Sequence, residues 1–278
     1  MNGIHINWTK PFLNKTNAPY CVEDFELLTT ILSALKWREK NGSITMITDS
    51  VGEEFYKSIG ITGIWDKVEN ILDDVDVNPD VFWAAGKIFA LSRQNAPVAM
   101  IDTDFIVWET INPIELSDVT VIHFEDLYPD VYPPKDYFHM RDYGFDDDYD
   151  WYLKACNTAF CIIKNEELLK YYTKKSIEFM RHSDEENDRL KYMVFAEQRL
   201  LPMCAEKLNM SVGAFSDLGK LFSDGETRFT HTWGMKQQMR DNGALRYDFC
   251  RRCINRIVHE YPHMYEIMKN IECLKQYL

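Results

Sequence analysis

Two aspartates, Asp102 and Asp104, lie in Val98-Ala-Met-Ile-Asp-Thr-Asp-Phe-Ile-Val-Trp108, between one apolar run, Val98 to Ile101, and another, Phe105 to Trp108. A run of this kind, entered through Gln94-Asn95-Ala96-Pro97, reads as a buried strand bounded by loop residues. Burying an unpaired carboxylate is costly, and residues at i and i+2 of an extended chain point the same way. A divalent cation is one partner that would justify the pair, and hard oxygen ligands suit Mg²⁺ or Mn²⁺. The other reading is a strand end whose aspartates cap a neighbouring helix or meet a lysine. The motif alone does not choose between them.

Three further stretches carry groups of related chemistry. Asn157-Thr-Ala-Phe160 starts an apolar strand with two polar side chains. Glu197, followed by Gln198, lies on or near the helical face of Leu190, Met193, Val194 and Leu201; it is either a reacting-site acid or a half-buried acid paired with Arg199 or Lys191. Phe229-Thr-His-Thr-Trp-Gly-Met-Lys236 reads as a loop with an imidazole, His231, and an amine, Lys236. His231 could ligate a metal or hydrogen-bond within the loop, and Lys236 could stand on the surface. Cys250-Arg-Arg-Cys253 has metal or redox spacing, but it falls in a helical pattern without a second pair and reads as structural. His259 and His263 flank Pro262 with no zinc frame. Asp146-Asp-Asp148 lacks the continuation of a calcium loop and reads as a solvated acidic turn. No P-loop, Gly-x-Ser-x-Gly or Gly-x-Gly-x-x-Gly occurs.

The elements that must position these groups alternate. Gly3 to Trp8 reads as a strand. Glu23 to Lys40, stopped by Asn41-Gly42, reads as a helix, Ser43 to Thr48 as a β-branched strand and Glu53 to Ile59 as a short helix. Asn78-Pro79 predicts another helix start, with Val81, Ala85, Ile88 and Phe89 as its apolar stripe. The Asp-x-Asp strand follows. This is the rhythm of an α/β fold, a mostly parallel central sheet flanked by helices, whose ligands sit beyond the carboxyl ends of the strands. Val119 to Phe124 and Ala155 to Lys164 read as strands, and Glu166 to Met180 and Asp184 to Leu201 as helices, the last stopped by Pro202. Ala244 to Leu278 is helical, broken at Pro262. Glu125 to Trp151 is long, irregular and rich in aromatics. It reads as a lid or acceptor-side wall, with Tyr143 and Tyr149 as candidate contacts, or as a surface excursion with its own small core.

The 278 residues suffice for one large α/β domain, and no linker or repeat divides them. Hydrophobic content of 46% with 27% charged is that of an ordinary globular chain, and aromatics at 14% allow for both a core and an aromatic binding surface. A net charge of −13 disfavours nonspecific binding to nucleic acid, so no nucleic-acid partner is expected. No stretch approaches the ~20 apolar residues of a membrane span. Seven scattered cysteines and the absence of a visible signal peptide predict a cytoplasmic location.

In order and spacing, Asp102-Thr-Asp104, Asn157-Thr-Ala-Phe160, Glu197-Gln198 and Thr230-His-Thr-Trp-Gly-Met-Lys236 together resemble the GT-A glycosyltransferases, especially the glycogenin and bacterial galactosyltransferase group and its relatives with a DXD sugar-binding region. The resemblance implies a GT-A-like (Rossmann-like) catalytic domain over residues 1–240, with 241–278 as a C-terminal helical extension packed on it. It implies a hexosyltransferase-like, metal-dependent enzyme that moves a sugar from a nucleotide-sugar donor, a UDP-sugar foremost, to a saccharide or other glycan acceptor. By the same resemblance Asp102, Asp104 and His231 would ligate Mn²⁺ or Mg²⁺, and Asp102, Lys87, Asn157, Gly234 and Lys236 would contact the donor. Glu197, Gln198 and Lys236 would act at the reacting sugar and its leaving diphosphate. The family segment usually continues Pro-Trp after the lysine, where this chain has Gln237-Gln238, and the family strand carries glycine where Ala159 stands. A phosphatase of the haloacid-dehalogenase type also uses Asp-x-Asp after a strand, but with a threonine where this chain has Ile106. The rival of another class is a noncatalytic GT-A-like protein that binds nucleotides or carbohydrates.

Overall fold

In the computed structural model, which describes residues 1–223 and 225–278, a seven-stranded sheet runs through the molecule. Its strands are β1 (Asn2–Asn7), β2 (Ile44–Thr48), β3 (Lys67–Asn70), β4 (Val98–Ile101), β6 (Val119–Val121), β9 (Phe160–Ile163) and β10 (Val212–Ala214), in the spatial order β10-β6-β9-β4-β1-β2-β3. β1 is parallel to β2 and β4, β2 to β3, and β6 to β10; only β9 runs antiparallel to its neighbours, β4 and β6. Two short pairs stand apart: β5 (Phe105–Val107) with β11 (Phe229–His231), and β7 (Phe124–Glu125) with β8 (Ala155–Cys156).

Alternation along the strands makes two cores. Ile4, Ile47, Val98, Met100, Cys161 and Ile163 face one side of the sheet. There they meet α4 (Ala85–Ser92), α5 (Glu166–His182), α6 (Lys191–Val194) and α7 (Leu200–Lys207). Ile44, Met46, Ala99, Ile101, Phe160 and Ile162 face the other, under α2 (Asp24–Lys40) and α10 (Gly243–Glu260). The remaining helices are short: α1 (Lys10–Lys15), α3 (Ser50–Ser58), α8 (Leu218–Phe222), α9 (Lys236–Asp241) and α11 (Met264–Met268). The C-terminal helices are tied to the start of α2: Arg246 Nε reaches Asp24 Oδ1 at 2.7 Å, and the Tyr277 hydroxyl donates to Asp24 Oδ2 at 2.5 Å. All seven cysteines are free, with Cys250 and Cys253 buried in α10. No helix of the described residues is long and apolar enough to cross a membrane.

The expected mostly parallel sheet flanked by helices is present, and three local expectations are corrected. Asn78 caps no helix: its side chain accepts from the Asp80 N–H at 2.9 Å within a turn, and the helix begins only at Ala85. The helix expected from Asp184 starts only at Lys191 and runs through Pro202 to Lys207. Proline has no N–H for the Gln198 carbonyl, and the helix widens there into a π turn, Phe195–Arg199, with the Leu200 N–H on the Phe195 carbonyl. The segment Glu125 to Trp151 packs onto the first core rather than standing as a separate excursion: Phe138, Phe145 and Trp151 pack on Phe195, and Phe138 also on Phe179. Tyr149 is buried with its hydroxyl 3.7 Å from Cys204 Sγ, and Tyr143 is half-buried against Phe145 and Phe179. Both tyrosines are packing residues; the well-exposed ring within the segment is Tyr128, with Tyr152 just beyond its end.

Candidate functional site

β4 ends at Ile101 and β5 begins at Phe105, so Asp102-Thr103-Asp104 forms a turn at the carboxyl edge of the sheet. The Asp102 N–H donates to the Ala159 carbonyl at 2.7 Å, and the Phe105 N–H closes the turn on the Asp102 carbonyl at 2.9 Å. β5 then leaves the main sheet to pair with β11, which sets His231 opposite Phe105. That pairing brings a distant segment to the turn, and it turns the expected loop at 229–231 into a short strand. One ligand atom each of Asp102, Asp104 and His231 lies within 4.8 Å of the other two. Nε2 of His231 stands 3.8 Å from Oδ2 of Asp104.

Each aspartate has its own lysine. Lys87, in the first turn of α4, places Nζ 2.8 Å from Asp102 Oδ1 and 2.8 Å from Glu197 Oε1. Gly86 lets α4 approach this closely, because a Cβ there would lie 2.6 Å from Cβ of Trp8 at the end of β1. Glu197, on the π turn, also accepts from the Thr158 hydroxyl at 2.8 Å. The π turn is therefore what aims Glu197 at Lys87, and the partners expected for it, Arg199 and Lys191, are engaged elsewhere. Arg199 donates to the carbonyls of Pro133 and Trp151, and Lys191 lies over the Tyr137 ring. On the other flank Lys236, at the start of α9, sits 3.1 Å from Asp104 Oδ2 and 3.2 Å from Glu26 Oε1.

These contacts shift the titrations. Burial raises the Asp102 carboxyl to about 6, against the pull of Lys87 and with the push of Asp104 and Glu197. Burial would raise Asp104 as well, but Lys236 and His231 outweigh it and its pKa is lowered. Burial lowers His231 to about 4, with Asp104 opposing, so its imidazole is neutral near pH 7 and has a lone pair to give. For both lysines burial acts downward, yet the carboxylates win and the ammonium forms are strengthened.

The other expected residues are placed less directly. Asn157 sits at the break between β8 and β9, accepting from the Ala159 N–H at 3.2 Å and donating to Glu125 at 3.3 Å. Gln198 accepts from the Tyr132 hydroxyl at 2.6 Å and so joins the aromatic segment rather than the carboxylates. Gly234 lies in a 3₁₀ turn, Trp233–Met235, where a Cβ would meet nothing within 4 Å. Glu26 is marked by no local pattern, and Thr158 only as part of Asn157-Thr-Ala-Phe160; both matter through contacts with distant segments. A cavity of about 280 Å³ opens beside the turn at the end of β1, lined by Asn7, Trp8, Tyr20, Glu26, Thr30 and Thr103. A smaller recess of about 160 Å³ adjoins Trp8 and Lys87.

The chain belongs to a family of unknown function, DUF6734, whose model matches residues 1–271. A comparison with curated proteins finds no match. Among solved structures the chain is similar to the PaToxG glycosyltransferase, with 10% identity and a TM-score of 0.43 over 99% of this chain and 85% of that one. It is similar to the glycosyltransferase GlyE of Streptococcus pneumoniae, with 11% identity and a TM-score of 0.39 over 86% of this chain and 50% of that one. It is also similar to the galactosyltransferase LgtC in complex with donor and acceptor sugar analogs, with 10% identity and a TM-score of 0.36 over 70% of each chain. At these scores the likeness says nothing about activity.

Proposed function

We propose that this protein is a metal-dependent glycosyltransferase that transfers a sugar, a hexose foremost, from a nucleotide sugar to a saccharide or other glycan acceptor. The observation that carries the reading is the convergence of Asp102, Asp104 and a neutral His231 within 4.8 Å at the carboxyl edge of the sheet. Two carboxylates and an imidazole suit Mn²⁺, or Mg²⁺, better than Ca²⁺. Bound there, the ion would supply positive charge to a diphosphate leaving group as its bond to the sugar breaks.

The chain's own residues then divide the work. Asp102, Asp104 and His231 hold the ion. Lys236, between Asp104 and the cavity residue Glu26, is placed to meet diphosphate oxygens on which charge develops. Lys87 offers a second cation on the opposite flank and holds Glu197, whose carboxylate is the candidate for acting near the transferred sugar. The cavity ending at Thr103 combines the rings of Tyr20 and Trp8 with polar Asn7, Glu26 and Thr30, a lining suited to a nucleoside, uridine foremost. Asn157, Gly234 and Gln198 remain donor-side candidates around this core.

A panel of nucleotide sugars tests the proposal, scored with Mn²⁺ and with chelator for binding and for slow hydrolysis. The expected result is hydrolysis of a UDP-sugar that needs the metal and is lost in Asp104→Asn. Metal-dependent binding with no hydrolysis, and no transfer to any acceptor, would favour a noncatalytic binding protein instead. Failure of every nucleotide to bind, with metal or without, would sink both readings.

A further inference from the structure

Behind the aspartate turn the apolar second core contains three polar side chains joined in a row. His5 is fully buried in β1. Its Nδ1 lies 3.1 Å from Trp65 Nε1, and its Nε2 lies 2.9 Å from Ser33 Oγ. The Ser33 hydroxyl in turn donates to the Phe105 carbonyl at 2.6 Å. The direction of the row is forced. An indole nitrogen only donates, so Nδ1 of His5 accepts and its proton sits on Nε2, which donates to Ser33 Oγ. Burial agrees with this neutral form, since it lowers the His5 pKa to about 3.

Two members of the row, His5 and Ser33, reach the two sides of the candidate metal turn. His5 is the register partner of Ile101, the residue before Asp102. Phe105 is the residue after Asp104. In the β5–β11 ladder the Trp108 N–H donates to Arg228 and the Thr232 N–H to Asp104. The hydrogen-bonded positions of an antiparallel pair alternate, so Phe105 opposite His231 is a non-bonded position and its carbonyl points away from β11. β5 pairs with β11 alone among the described residues, and Ser33 on α2 supplies the donor that a second strand would have given. A buried carbonyl left without a donor is costly.

We propose that Trp65, His5 and Ser33 form a positioning relay that fixes the Asp102-Thr103-Asp104 turn and its β11 partner from behind. The metal cluster then depends on Ser33, which does not touch it. This rests on the metal-site reading above and extends it to residues outside that site. Groups behind a metal ligand commonly set its affinity by holding its geometry.

The test uses the full chain and Mn²⁺ alone, with free Mn²⁺ followed by electron paramagnetic resonance. It is paired with hydrogen exchange of the β5 and β11 amides, measured with chelator present. Ser33→Ala is expected to weaken Mn²⁺ binding about tenfold and to speed exchange at Ile106 and Thr230 more than in β1 and β2. Ser33→Thr, which returns the hydroxyl, restores both. Unchanged affinity in a folded Ser33→Ala protein would overturn the relay while leaving the metal site standing. If the wild type binds no Mn²⁺, the metal reading fails and the relay is judged by exchange, where no selective change at β5 and β11 overturns it. Should Ser33→Ala not fold, Trp65→Phe deletes the first donor along with some ring volume, and the same two measurements, read at β5 and β11 against β1 and β2, decide.

Discussion

The two flanks of the aspartate turn use the same chemistry in different settings. On one, Lys87 joins Asp102 to Glu197, and Glu197 is almost fully buried, with its carboxylate also bonded to Thr158. Its elements, α4, the π turn and β9, pack on the sheet itself. On the other, Lys236 joins Asp104 to Glu26 from the short helix α9. That helix buries Met239 in the second core, while its charged side chains meet the start of α2 at the surface, with Arg240 Nε 2.6 Å from Glu23 Oε2 and its Nη2 3.4 Å from Glu26 Oε1. Lys87 and Glu197 are the more buried pair, with side chains 16% and 2% exposed against 29% and 25% for Lys236 and Glu26. The second flank is therefore the one expected to yield to an incoming anion, and the first the one expected to stay fixed.

The largest expected effect breaks the fixed flank. Lys87→Met leaves Asp102 and Glu197 facing each other without a cation, and breaking a buried pair in this way costs about 3–5 kcal/mol. Urea unfolding at pH 7 measures it. A loss under about 1 kcal/mol would mean that water or protonation compensates freely, and the flank is not fixed in the sense described.

The adjustable flank is tested by ligand. A nucleoside diphosphate should stabilise the fold only with Mn²⁺ present, because the ion bridges carboxylates and phosphates that otherwise repel. At about a hundred times its dissociation constant it adds about 2.7 kcal/mol, or roughly 5–10 °C in a chain of this size. Asp104→Asn should abolish the shift and leave the protein folded. Lys236→Ala should reduce it, and should slow transfer more than it weakens binding. Equal stabilisation with and without metal, in wild type and Asp104→Asn alike, would remove the bridging ion.

The flanks should also answer pH with opposite sign when no metal is present. Asp102 has a folded pKa of about 6, above the 3.8 of a free aspartate carboxyl. It favours folding below about pH 4, and that contribution is lost as pH rises through 6. His231 has a folded pKa of about 4, below the 6.5 of a free imidazole. It favours folding above about pH 6.5, and that contribution is lost as pH falls through 4. Between pH 6 and 4, Asp102→Asn should therefore make the acid loss of stability steeper, and His231→Gln should make it shallower. Either change is bounded by about 1.4 kcal/mol per pH unit. Urea midpoints across that range in chelator give the slopes, and slopes that move together would contradict the assignment.

How much of this was legible beforehand follows the same division. Asp102 and Asp104 stood out because their charges conflict with the apolar runs around them, and the Phe229 to Lys236 stretch through its resemblance to the family segment. The parallel sheet was legible from alternating periodicities. The link from Lys87 to Glu197 was not, since the pairing is made by tertiary packing and no local rule prefers Lys87 over Arg199 or Lys191. The π turn escaped because Pro202 reads locally as a stop, while packing of Leu200, Leu201 and Met203 carries the helix past it. Tyr143 and Tyr149 looked like sugar-stacking rings because a run of aromatics reads alike whether it faces a cleft or a core. Ser33 and His5 were invisible as a pair, for one lies in an apolar helix and the other in an apolar strand.

The smallest expected effect is the one that most sharpens the comparison. Arg240 lies on the exposed side of α9, and its acidic partners are shared: Glu23 is also reached by Arg246, and Glu26 by Lys236. Removing it by Arg240→Ala takes away two ion pairs in high dielectric and leaves both glutamates with a cation. Such pairs contribute about 0–1 kcal/mol, and salt screens them over roughly 10 Å at 0.1 M. The variant should therefore lose less than about 1 kcal/mol at low ionic strength, and the difference from wild type should vanish as salt is raised. Lys236, with Glu26 now less contested, should keep its place by Asp104, so the Mn²⁺-dependent nucleotide shift should be nearly unchanged. A loss of several kcal/mol that persists in high salt would show α9 to be clamped as firmly as α4. Both lysines would then be fixed, and the cluster would have no adjustable side through which a diphosphate could enter.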